Sequence, residues 1–90
     1  MSAIRRHVVI HGRVQGVFFR DTTERMASAR GIAGSIRNRD DGAVDAVFEG
    51  EPEGVEAMIA FAREGPEGAR VERVEVSEEE PQGASGFTVT

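Results

Sequence analysis

Gly12-Arg13-Val14-Gln15-Gly16-Val17-Phe18-Phe19-Arg20 joins an apolar, strand-like segment to a helix through a loop that holds two glycines. Such a loop leaves backbone N–H groups without partners and turns them toward one spot. Arg20 sets a guanidinium beside them. Open amides at a helix start and a planar cation together make an anion site suited to phosphate. On Gly12 and Gly16 alone, an ordinary connection whose glycines relieve strain is an equal reading.

Upstream of the loop, His7-Val8-Val9-Ile10-His11 is rich in β-formers and reads as the first strand. Downstream, a helix runs from about Phe19 to Arg30, with Phe19, Thr22 or Thr23, Met26 and Ala27 turned inward and Gly31 as its stop. Ile32 to Arg39 makes a second strand, Asp40-Asp41-Gly42 a turn, and Ala43 to Glu49 a third strand alternating through Val44, Ala46 and Phe48. Gly50-Glu51-Pro52-Glu53 opens a second helix. Val55, Met58, Ile59 and Ala62 give it one apolar face, and Gly65-Pro66 ends it. Arg70 to Val76 is a fourth strand, Glu78 to Gly83 a solvated acidic loop, and Phe87-Thr88-Val89 a short last strand. The order βαββαβ with a terminal strand predicts an α+β, ferredoxin-like sandwich: an antiparallel sheet with two helices on one face.

At 90 residues the chain is one domain, residues 1–90, with a single modest core. It has no cysteine, which excludes disulfides, thiolate metal sites and a cysteine nucleophile. The apolar run near the N-terminus is too short for a signal segment or a membrane span, so the expected location is cytoplasmic, with no membrane partner. Net charge is −5, which argues against a nucleic-acid partner. Residues 1–45 carry eight arginines against five acids, net +3, whereas residues 46–90 carry three against eleven, net −8. The positive half is the place for an anionic ligand; an acidic surface that merely aids solubility fits the same numbers. His7 and His11 lie on one strand face about 13 Å apart, too far to share an ion. No metal-ligand, Walker A or G-x-S-x-G pattern occurs.

The Gly12–Arg20 stretch resembles the first signature of the acylphosphatase family, G-x-V-Q-G-V-x-F-R, and matches every fixed position. Asn38, with Gly34 before it and Gly42, Val44 and Gly50 after it, is similar to the second signature. Alone, Asn38 reads as a turn residue ahead of Asp40-Asp41-Gly42. Ser35 departs from the pattern, since the residue after this glycine is usually aromatic. The resemblance implies a hydrolase that cleaves the carboxyl–phosphate bond of small acyl phosphates, with water attacking phosphorus directly. It implies Arg20 and Asn38 as catalytic residues, the guanidinium gripping phosphoryl oxygens and the amide orienting the water. Gln15, Gly16, Val17, Phe18, Phe19 and Arg20 would bind the substrate. No metal or cofactor is demanded, inorganic phosphate is the expected product, and the chain is expected to act as a monomer. The alternative is a non-catalytic module on the same fold that binds phosphate or carbamoyl phosphate.

Overall fold

The computed structural model describes residues 2–90. Its elements follow in the order β1 (Ile4–Arg13), α1 (Phe19–Arg30), β2 (Ala33–Asn38), β3 (Val44–Gly50), α2 (Pro52–Glu64), β4 (Arg70–Glu79) and β5 (Phe87–Val89). One five-stranded sheet carries them in the order β4-β1-β3-β2-β5. β1 lies antiparallel between β3 and β4, and β2 is antiparallel to β3. β5 extends this α+β, ferredoxin-like sheet as an edge strand parallel to β2.

Alternation along the strands decides which face the helices cover. Val8 and Ile10 of β1, Ile36 of β2, and Val44, Ala46 and Phe48 of β3 form one face. They enclose a core with Phe19 and Ala27 of α1 and Val55, Met58 and Ala62 of α2. The weakly apolar α1 closes its inward stripe with Thr23, whose buried hydroxyl donates to the Phe19 carbonyl oxygen at 2.8 Å. That bond removes the cost of burying a lone hydroxyl.

The β1 start and the β4 end differ from the sequence-based expectation for one reason. β1 begins at Ile4, and β4 continues through Glu78 and Glu79 instead of ending at Val76. Residues expected in a solvated acidic loop are therefore in the sheet. Arg5 stands opposite Glu79 and Arg6 opposite Glu78, so each acid meets a cation across the strands. Arg5 Nε donates to Glu79 Oε1 at 2.8 Å and its Nη1 to Glu49 Oε1 at 2.9 Å. Glu49, only 4% exposed, also accepts from the backbone N–H groups of Gln82, Gly83 and Ala84 at 2.8–3.2 Å. The Gln82 amide, then Arg5, holds its carboxyl below the usual glutamate range. One buried carboxylate thus fastens the loop that leads into β5.

The side of the sheet away from the helices carries cross-strand contacts between basic and acidic side chains. His7 meets Asp45, which accepts from Arg37 at 3.0 Å, and His11 lies 3.6 Å from Glu75. The two histidines have separate carboxylate partners. Ser35 pairs with Val47 and Thr88 on this same side.

Candidate active site

Gly12 does not belong to the loop itself. It sits in β1 where the register against β4 shifts, and an added Cβ would lie 2.1 Å from the Arg70 carbonyl oxygen. Its backbone, with φ of 130°, passes too close to β4 for any side chain. The chain then leaves the sheet at Val14, which is buried and anchors the loop to the core.

Between Val14 and α1 the backbone alternates in hand. Gly16 has φ of 75° and Phe18 φ of 61°, while Val17 between them keeps the ordinary sign. Alternation of this kind turns successive N–H groups to one side, forming an anion-binding concavity. Among the described residues, the N–H groups of Gln15, Gly16, Val17 and Phe18 have no backbone or side-chain acceptor. Phe18 is also the N-cap of α1 and offers no side-chain cap, so the helix start is open as well. The left-handed conformation costs a bulky residue about 1–2 kcal/mol. Phe18 is the one non-glycine residue with positive φ among those described.

Arg20 lies in the first turn of α1, half-buried. Its Nη1 donates to the Thr90 carbonyl oxygen at 3.0 Å, and the Thr90 N–H in turn donates to Ile36 O at 3.0 Å. The sheet edge beyond β5 therefore fixes one end of the guanidinium. No other partner of Arg20 is present among the described residues, so the rest of the fork is open to a ligand. Glu24, one turn on from Arg20, accepts from Ser28 Oγ at 2.9 Å.

Asn38 ends β2, half-buried, and its carboxamide has no hydrogen-bond partner among the described residues. Its position depends on the turn that follows. Arg39 N–H donates to Ala43 O at 2.8 Å, Gly42 N–H to Arg39 O at 3.2 Å, and Ala43 N–H to Asp41 Oδ1 at 3.1 Å. The Ala43 amide is the main cause that holds the Asp41 carboxyl below its usual range, with Arg39 adding to it. Gln15 closes the assembly. Its Nε2 donates to Arg39 O at 2.8 Å and to Ala43 O at 2.9 Å.

A cavity of about 370 Å³ opens where these parts meet, lined by Gly16, Phe18, Phe19, Arg20 and Asn38, with Val14, Asp21 and Val89 completing the wall. Two residues expected at a ligand do not line this cavity with their side chains. Both donor hydrogens of the Gln15 carboxamide are engaged by the hairpin, which leaves only its backbone N–H as a donor to an anionic ligand. Val17 packs on the core and likewise has only its N–H to offer. Ser35 faces the far side of the sheet from the helices, so its departure from an aromatic residue changes nothing in the cavity wall. Sequence reasoning missed Thr90 and Val89, because a contact 70 residues from Arg20 leaves no local signal. Gln15, a carboxamide among apolar neighbours, carried a signal that spacing alone assigns to no partner.

Residues 6–89 match the family model described as Acylphosphatase. The chain is 54% identical over 89 residues to an acylphosphatase of Thermococcus kodakarensis, covering 99% of this chain and 98% of that one. To an acylphosphatase of Haloarcula marismortui it is 52% identical, with the same coverage. The crystal structure of acylphosphatase from Bacillus subtilis superposes with a TM-score of 0.92 at 30% identity, covering 97% of this chain and 98% of that one.

Proposed function

The chain belongs to the acylphosphatase family and is a hydrolase of acyl phosphates; from that premise we propose how the cavity between Phe18 and Asn38 performs the reaction. The observation that carries the reading is convergence. Open loop amides, an open guanidinium edge and an unpartnered carboxamide all border one cavity.

The phosphoryl group sits in the loop, its oxygens accepting from the N–H groups between Gln15 and Phe19 and from Arg20. Phosphoryl transfer passes through a loose transition state whose charge spreads over the equatorial oxygens. Fixed amides and a guanidinium stabilise that charge without reorganising. Asn38 orients a water toward phosphorus. A carboxamide is no base, but it holds a water by hydrogen bonds, and the water's proton passes to a phosphate oxygen. The bond from phosphorus to the bridging oxygen breaks, and the carboxylate departs with the electron pair. A carboxylate is stable without protonation at neutral pH, so no general acid is needed. Inorganic phosphate remains in the loop and competes with substrate until it leaves.

A non-catalytic phosphate-binding module would need the loop and Arg20 but not a water-orienting amide. Asn38→Ala separates the two. Its kcat on acetyl phosphate is expected to fall by about 10²–10³, as when an oxyanion-hole donor is removed. Competitive inhibition by inorganic phosphate should stay as in the parent. A near-parental kcat would leave Asn38 a turn residue only.

A further inference from the structure

Three large apolar residues are exposed among those described: Phe18 at 79%, Val76 at 38% and Val89 at 41%. Two of the three, Phe18 and Val89, border the cavity that holds Arg20 and Asn38. They come from opposite ends of the chain. Phe18 stands at the start of α1 and Val89 at the end of β5, and α1 packs on β5.

Phe18 is the more informative of the pair. The loop needs a left-handed backbone at this position to open its amides, and glycine supplies that conformation at no steric cost. The backbone therefore explains the φ but not the side chain. A phenylalanine here is unfavourable twice over, once through its backbone and once through apolar surface left in water. It adds little to the free fold, since its ring is outside the core and in none of the aromatic pairs, which are Phe19 with Phe61 and Phe48 with Phe87. Residue 18 also falls at a position that the family signature leaves open, so hydrolysis as such does not demand it.

We propose that Phe18 and Val89 form an apolar rim that receives the acyl group of the substrate, so that acyl phosphates with a hydrocarbon or aryl acyl group are preferred over small ones. This rests on the reading that the phosphoryl group lies in the loop between Gln15 and Arg20. With phosphorus there, the acyl group is the part of the substrate that projects from the loop toward the rim. Asp21 stands on the same wall, exposed and 3.2 Å from Arg25. Its charge adds nothing that would attract an anionic acyl tail.

The test compares kcat/KM for benzoyl phosphate with that for acetyl phosphate in the parent protein, Phe18→Ala and Val89→Ser. Both substrates release a carboxylate of similar basicity, so their ratio reads contact with the acyl group. Taking the ratio within each variant cancels any change in the phosphate loop that acts on both substrates. The parent is expected to favour benzoyl phosphate, and each substitution should lower the ratio about three- to tenfold by removing apolar contact. Val89→Ser keeps the test informative if Phe18→Ala disturbs the loop backbone. Ratios unchanged in both variants would overturn the rim. So would a parent that sediments as a dimer while both variants are monomers with unchanged ratios, because the patch would then belong to a second copy of the chain. Absence of turnover on either substrate, with phosphate still bound, would instead defeat the underlying hydrolytic reading.

Discussion

At the scale of single residues, the site depends on which donors are already engaged and which are open. Arg20 has one nitrogen fixed by Thr90 and the others open, so its plane is set before any ligand arrives. A fork held in this way gives two parallel hydrogen bonds to a phosphoryl group, which lysine cannot do. Arg20→Lys keeps the charge and loses the fork. Its kcat/KM should fall by at least about tenfold, one lost charge-assisted bond being roughly 1.5–3 kcal/mol. Inhibition by inorganic phosphate should weaken alongside, while Tm stays close to parental, because the residue is outside the core. If the variant unfolds while its folded fraction turns over normally, Arg20 is structural. That an arginine stands beside the loop was legible from the signature. Its orientation was not, because Thr90 lies 70 residues away.

At the scale of elements, two connections that look independent in sequence are one device. The β1–α1 loop carries the open amides and the β2–β3 hairpin carries Asn38, and Gln15 joins them through the Arg39 and Ala43 carbonyl oxygens. This link was not legible, because periodicity says nothing about side-chain partners 24 and 28 residues on. Gln15→Met keeps the length and removes both donors. Two hydrogen bonds of this type are worth about 1 kcal/mol each in stability. The sharper consequence is kinetic. A small displacement of Asn38 relative to the loop should lower kcat by roughly ten- to hundredfold. In an Asn38→Ala background the same substitution should change kcat no further, since the group it positions is gone. An equal loss in both backgrounds would show that Gln15 acts on the phosphate loop alone.

At the scale of the whole molecule, the order of elements was legible because each has a local cause. Strands show β-rich runs and alternation, α2 shows its apolar face, and the turns show glycine. The edges were less legible. Glu78 and Glu79 read as a solvated run until Arg6 and Arg5 stand opposite them, and cross-strand neutralisation is a property of register rather than of either segment. Glu49 likewise passes for one more strand acid, yet it gathers Arg5 and three loop amides and so sets the path into β5. That path ends at Thr90 beside Arg20, which links the far edge of the sheet to the proposed phosphate site. The chemistry we propose for this assembly is direct attack of water on phosphorus, with charge stabilised by backbone amides and one guanidinium. The most direct measurement is hydrolysis of acetyl phosphate in ¹⁸O-enriched water containing excess chelator. The account predicts an undiminished rate, with the label in inorganic phosphate and none in acetate. Label in acetate, or activity lost on chelation and restored by a divalent cation, would contradict it.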